Sequence, residues 1–330
     1  MSSRLLILLV SLSTVAVFGG EETSVTTGQK SRHFELSYTA TIKDVPAGAA
    51  SVDLWLPVPQ TDAYQEIGKV SFDSKIQPEL AVDPVQNNKI AHWKLKAEDA
   101  KAFTVTMSVD CTRHEIVTPD LSKARELTDE EKATFAPYLK ANRLVLVGGD
   151  FTTIADNATK GAKTPVEIAK AAYDYAVTTM KYDKPKDKPG WGTGSTKWAC
   201  DAKFGNCTDF HAMVMSIGRT KGVPVKFEIG FPIPEDSKAG PVGGHHCWAK
   251  SYLGGVGWMP VDASEAQKHP EKKDYFCGSL CPNRIHFTTG RDVDLVPKQA
   301  GDALNYFVYP YAEADGKSIA VDKKFDFKDL

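Results

Sequence analysis

The sequence predicts an α+β chain: an antiparallel β-sandwich, then a domain in which one helix packs on an antiparallel sheet. Three observations predict it. Between residues 34 and 111, short segments alternate apolar and polar residues and are separated by turn residues, the pattern of half-buried antiparallel strands. Two helix starts with full capping signals follow, at Thr164-Pro165-Val166-Glu167 and at Asn206-Cys207-Thr208-Asp209. After Gly222 the chain reads as strands again.

The chain has 330 residues, enough for two cores, and its 40 basic and 42 acidic residues nearly cancel. That balance gives no electrostatic footprint for nucleic acid or for an anionic membrane surface. Met1-Ser2-Ser3-Arg4 is basic, Leu5 to Phe18 is apolar, and Gly19-Gly20 precedes Glu21-Glu22. This is the order of a secretory signal peptide, expected over 1–20, and the apolar run is short of the roughly 20 residues that span a bilayer. The expected location is secreted or periplasmic. No later segment is long and apolar enough to span.

Phe34, Leu36, Tyr38, Ala40 and Ile42 alternate along the first strand, and Val52, Leu54, Leu56 and Val58 along the second. Weaker strands are expected at 67–72 and 90–95. Phe103, Val105, Met107, Val109 and Cys111 share one face of a strong strand, which makes Cys111 a small core residue. The sandwich is expected over 31–118 and a connector over 119–160. Thr128 to Glu131 caps a short helix that stops before Pro137. The second domain is expected over 161–330. Its first helix carries Ile168, Ala172, Tyr175, Ala176 and Thr179 on one stripe. Strands are expected at 225–230, 245–253, 256–263, 284–289 and 305–311.

The second helix is where the chemistry gathers. Asn206 is its N-cap, Asp209 the reciprocal capping acid, and Phe210, Met213, Val214 and Ile217 its apolar stripe. Cys207 is then the first helical residue, where the helix dipole favours a thiolate and free N–H groups can hold an oxyanion. A thiol there needs a base and a group to orient it. His246 and Trp248 share one face of a strand, with Cys247 on the other, and Trp258, Pro260 and Asp262 share a face of the next. If the hairpin is centred on Gly254, His246 lies opposite Asp262. A two-residue shift leaves them diagonal neighbours, and a one-residue shift separates them. Cys207 would attack a carbonyl, His246 would move the proton, and Asp262 would fix the imidazole.

These residues resemble the transglutaminase-like family of the papain-like superfamily. The resemblance rests on Gly205-Asn206-Cys207 with its helix, Gly222-Val223-Pro224, His246-Cys247-Trp248 and Gly257-Trp258-Met259-Pro260-Val261-Asp262, in the family's order and spacing over about residues 165–265. It implies a papain-like α+β domain with Cys207 as nucleophile, His246 as base and Asp262 as orienter. The implied activity is attack on an amide carbonyl, then transfer to an amine or to water, with a protein or peptide as substrate. One departure is Lys250, where the family often has an acid; it is read as structural or at the surface. The second donor of the oxyanion hole is not identified. Trp191 and Trp198 could border the cleft, though aromatic packing suits both.

Competing readings use the same residues. Cys200, Cys207, His211, His245, His246, Cys247, Cys277 and Cys281 are enough to ligate zinc, but the spacing of a structural site is missing. No cofactor and no metal are expected. In an oxidising compartment a disulfide among Cys200, Cys277 and Cys281 is expected instead. His211 falls on the helical face of Cys207 and is read as packing. His245 is read as pointing away from His246, a fallback base if the register slips. Cys247 is expected to pack into the sheet behind the active face. No stretch resembles a D-x-D-x-D-G calcium loop, so hydrolysis of peptide or isopeptide bonds is preferred to amine transfer. The remaining alternative is a non-catalytic binding module of the same fold.

Overall fold

The computed structural model describes residues 30–117, 120–184 and 188–330. The expected signal peptide lies outside them. The first strands are β1 (Ser31–Ile42), β2 (Ser51–Val58), β3 (Gln65–Asp73), β4 (Glu79–Val82), β5 (Lys89–Lys96) and β6 (Thr104–His114). All but β4 were legible as alternating segments. β4 carries no buried residue, so it has no apolar period to read.

After a single helical turn at Ala97–Ala100, the helices are α1 (Asp129–Thr134), α2 (Thr152–Ala158), α3 (Pro165–Thr179), α4 (Thr196–Ala202) and α5 (Cys207–Thr220). Then come β7 (Val225–Pro232), β8 (Ala239–Pro241), β9 (His246–Leu253), β10 (Gly257–Val261), α6 (Ala263–Lys268), β11 (Arg284–Thr289), β12 (Tyr311–Ala314), β13 (Lys317–Ile319) and β14 (Val321–Asp329). The capping boxes at Thr128, Thr164 and Asn206 are all formed. Gly222 ends α5 at a φ of +82°, with the Val223 N–H reaching back to the Gly218 carbonyl at 2.9 Å.

Two five-stranded antiparallel sheets form the sandwich among the described residues, in the orders β8-β14-β1-β6-β3 and β13-β12-β2-β5-β4. Their inner faces share one core, with Leu36, Val52, Leu54, Val105, Met107 and Cys111 fully buried. Each large apolar side chain buried there contributes about 1.5–3 kcal/mol. The antiparallel sheet of the second domain runs β10-β9-β7-β11, with α5 and α3 packed on it.

Two features depart from the sequence reading. The last three strands, within the stretch expected to belong wholly to the second domain, complete the sandwich: β12 pairs with β2, β13 with β12, and β14 with β1. The strand expected at 305–311 begins only at Tyr311. Upstream, backbone carbonyls are taken by side chains: Asn305 accepts from Arg291, Phe307 from Thr288 and Val308 from Tyr38. These carbonyls are satisfied by side chains where a strand neighbour would otherwise supply the donors.

The two halves are locked together. Tyr38 of β1 packs edge-on to Phe231 and Phe325. Arg32 donates to Asp329, to the carbonyls of Pro234 and Ser237, and to the Asn283 side chain at 3.0 Å. That last bond fixes the backbone just before Arg284.

Candidate active site

The start of α5 is held by its own sequence. The Asn206 side chain accepts the Thr208 N–H at 2.9 Å, and Asp209 accepts the Asn206 N–H at 3.0 Å. Asp209 also takes the N–H groups of Gly192 (2.8 Å) and Gly194 (2.9 Å), which draws the preceding loop onto the helix. Both glycines have positive φ, and a Cβ on Gly194 would meet the Arg291 guanidinium at 2.7 Å. Cys207 is the first helical residue and 2% exposed.

The hairpin carrying His246 and Asp262 pairs Leu253 with Gly257 and Ala249 with Val261. It is therefore centred on Gly255, the two-residue shift that makes His246 and Asp262 diagonal neighbours. The gap closes because His246 is the first residue of β9 and Asp262 sits just past β10, as N-cap of α6. The His246 Nε2 lies 2.7 Å from Asp262 Oδ2. A carboxylate only accepts, so Nε2 carries the proton and the other ring nitrogen is left for Cys207.

The charges support one another. Interaction with Cys247 first, and then with His245 and His246, holds the Cys207 thiol well below its ordinary range against the opposing effect of burial. Burial alone would lower the His246 pKa, but the Asp262 charge and hydrogen bond, aided by Cys207, raise it to about 10. Burial works against the Asp262 charge too, yet His246 and Arg284 keep it well below the usual carboxylate range. This is the electrostatic pattern of a thiolate–imidazolium pair backed by a carboxylate.

Residues 152–263 match the model of the transglutaminase-like superfamily. The chain carries a transglutaminase-like core. It is 26% identical over 326 residues to an uncharacterised protein of Haemophilus influenzae, covering 87% of this chain and 86% of that one. Its fold is similar to the crystal structure described as "a Putative Cysteine Protease from Cytophaga hutchinsonii", with a TM-score of 0.58, 14% identity and 91% of each chain covered. The periplasmic domain of TgpA from Pseudomonas aeruginosa matches at a TM-score of 0.33 and 13% identity, over 70% of this chain and 74% of that one.

Around this transglutaminase-like core several sequence expectations are corrected. Cys247 does not lie behind the site. Odd-numbered residues of β9 face α5, so its sulfur sits 3.5 Å from His211 Nδ1, next to Cys207. Lys250 takes the structural one of its two readings: it is buried, 3.2 Å from Glu228. All six cysteines are unpaired, so the disulfide expected among Cys200, Cys277 and Cys281 is absent. Cys200 packs against Met213, Cys281 against Arg284, and Cys277 bridges to Val261. Among the described residues no group of three or more His, Cys, Asp or Glu is arranged to hold a metal.

His211 both packs and borders the site. Its Nδ1 donates to the Cys207 carbonyl at 2.7 Å, and its Nε2 accepts the Ala263 N–H at 3.2 Å. Those partners require a neutral ring, in keeping with the lowering of its pKa by burial. Trp191 and Trp198 follow the packing reading. The Trp191 indole N–H is taken by the Asp183 carbonyl at 2.7 Å, and Trp198 stands edge-on to Phe204.

Sequence reasoning missed Arg284. It donates to Asp262 at 3.0 Å, lies 4.9 Å from the Trp248 ring centroid, and is fully enclosed. It had appeared only as the first residue of a strand. The second role of Asp262 was missed too: its Oδ1 accepts the Glu265 N–H and the Ser264 hydroxyl, both at 3.1 Å. The Asp262-x-x-Glu265 spacing could have signalled that helix start.

A cleft of about 750 Å³ opens beside His246, walled by Arg32, Glu235, Glu265, His269 and Tyr275. A smaller hollow of about 410 Å³, lined by Asp62, Glu228, His286 and Trp258, does not reach Cys207, His246 or Asp262.

Proposed function

We propose that this chain is an exported thiol enzyme that cleaves peptide or isopeptide bonds through Cys207, His246 and Asp262. The observation that carries the reading is the 2.7 Å His246–Asp262 bond beside a thiol at a helix start. The Cys207 thiolate attacks the amide carbonyl carbon, and the C=O electron pair moves onto oxygen. As the tetrahedral species collapses, the C–N bond breaks and the His246 imidazolium gives its proton to the leaving amine. A thioester remains on Cys207. Water, deprotonated by His246, then attacks it, and the acid and the thiol are released. Asp262 keeps the imidazole oriented and stabilises its charged form.

Transfer to water rather than to an amine is favoured by the fold likeness to the chain described as "a Putative Cysteine Protease". The reading is tested by iodoacetamide labelling at neutral pH followed by mass spectrometry. Cys207 should react far ahead of Cys111, whose thiol burial pushes up to about 12. Equal rates would favour the binding-module reading. Incubation of a glutamine-containing peptide with a fluorescent amine then separates hydrolysis from amine transfer. Export through the leader 1–20 is tested by sequencing the N-terminus of the mature protein.

A further inference from the structure

The acyl chemistry proposed above needs two donors for the oxyanion, and the helix start supplies only one. The Cys207 N–H, at the first position of α5, has no hydrogen-bond partner among the described residues. Of the indoles upstream, the Trp191 N–H is already taken by the Asp183 carbonyl, and Trp198 packs edge-on to Phe204.

The other donor comes from the residue beside the base. The backbone N–H of His245 donates to the Tyr309 hydroxyl at 3.1 Å, and the His245 Nδ1 lies 3.0 Å from that same oxygen. The hydroxyl has no other acceptor among the described residues, so its own proton is satisfied by donation to Nδ1. In that arrangement Nδ1 accepts, and the His245 ring proton is on Nε2. That nitrogen is buried and has no hydrogen-bond partner among the described residues. An orphaned buried donor is costly and calls for an explanation. The ring is held between Tyr306 and Tyr309, each at a centroid distance of 5.4 Å, so it does not swing away. His245 is near enough to Cys207 to help keep its thiol low, yet Nε2 makes no bond of proper geometry to the sulfur. A donor beside the nucleophile but not aimed at it is where an oxygen attached through the acyl carbon would sit.

We propose that His245 Nε2–H and the Cys207 backbone N–H together form the oxyanion hole. His245 is thus a catalytic residue distinct from the base His246, and Tyr309 positions it by fixing its tautomer. The inference rests on the acyl-enzyme reading of the site.

The probe is p-nitrophenyl acetate. Cys207 forms a bond to the acetyl carbon, the carbonyl electrons pass to oxygen, and collapse expels nitrophenolate and leaves an acetyl thioester seen by intact mass. Iodoacetamide is the control: it reacts at a saturated carbon and develops no oxyanion. His245→Phe is expected to slow acetylation by about 10²-fold or more, while alkylation on its high-pH plateau stays within about threefold of wild type. His245→Gln, which keeps an N–H donor, recovers part of the loss. Tyr309→Phe frees the tautomer and slows acetylation about tenfold with alkylation unchanged. If H245F does not fold, the H245Q and Y309F rates decide.

Acetylation of H245F or Y309F at the wild-type rate overturns the proposal, as does a parallel fall in both reactions. A wild-type protein that alkylates but never acetylates overturns the acyl-enzyme reading along with it. A wild-type acetyl-enzyme with insensitive variants overturns the oxyanion hole alone.

Discussion

Replacing Asp262 with Asn keeps the shape of the side chain and removes its charge, which separates the electrostatic role of this carboxylate from its packing. The capping oxygen survives, since Oδ1 can still accept the Glu265 N–H and the Ser264 hydroxyl. What changes is Oδ2, which serves His246 at 2.7 Å and Arg284 at 3.0 Å. An amide nitrogen there presents donors to two donors. Without the carboxylate, burial governs His246 and its pKa falls from about 10 to or below the ordinary 6.5. A drop of about 3.5 units corresponds to about 5 kcal/mol lost from the imidazolium. The thiolate loses its counter-ion with it.

The assay is the rate of iodoacetamide alkylation of Cys207 between pH 4 and 10. Wild type should react fast well below neutrality and hold its rate toward pH 9. D262N should be slower at pH 6 by about two orders of magnitude or more, recovering as pH rises. Stranding Arg284 without its partner costs about 3–5 kcal/mol, a large part of a typical domain's stability, so the fold is checked by urea titration. The double variant D262N/R284M should recover stability but not reactivity. If D262N alkylates at pH 6 as fast as wild type, the imidazolium is not sustained by Asp262, and the proposed mechanism loses its orienting group.

Three further outcomes follow from the same geometry. Cys247→Ala removes the foremost group holding the Cys207 thiol down, so the acid limb of its alkylation profile should move to higher pH; an unmoved limb would show that Cys247 only packs. Gly230→Ala sets a Cβ 1.8 Å from the Ile285 carbonyl oxygen, at the bulge where β7 meets β11. Urea denaturation should record a loss of about 3 kcal/mol or more, and a variant as stable as wild type would contradict the packing of β11. Glu228→Gln leaves Lys250 and Lys226, at 3.2 and 3.1 Å from its carboxylate, without their shared anion. It should cost about 3 kcal/mol, and E228Q/K250M should be closer to wild type than the sum of the singles; strict additivity would deny the coupling.

The sequence was legible wherever a local pattern codes an element. The three capping boxes, the alternating strands of the sandwich and the thiol at the first turn of α5 are written in runs of four to nine residues, and they formed. The register of β9 on β10 was left between two allowed pairings, and three turn glycines gave no local reason to choose. Contacts of Gly254 and Gly255 with the connector settle it: Gly254 pairs with Arg125, and a Cβ on Gly255 would meet the Lys123 carbonyl at 2.6 Å. What could not be read is whatever arrives from a distant strand. Arg284 reaches Asp262 only because β11 pairs with β7, and nothing in Asn283-Arg284-Ile285 announces a buried cation.

The same logic explains why the C-terminal stretch, read as a strand only at 305–311, was assigned to the second domain. Its alternation is ordinary, and no local signal says which sheet its strands join. The choice is made by what lies just upstream. Residues 305–309 are pinned beside the site by Arg291, Thr288, Tyr38 and His245, and this delivers Tyr311 to the edge of β2. Strands β12 and β14 then complete the sandwich, and β14 in turn pairs with β8 from the second domain. The chain therefore crosses the candidate site on its way back to the first domain. Tyr306 and Tyr309 are raised above the ordinary phenol range by burial first and by the Cys207 charge after it. Closure of the sandwich and the lining of the site are one structural event, so a loss of β14 should loosen Tyr309 and the reactivity of Cys207 together.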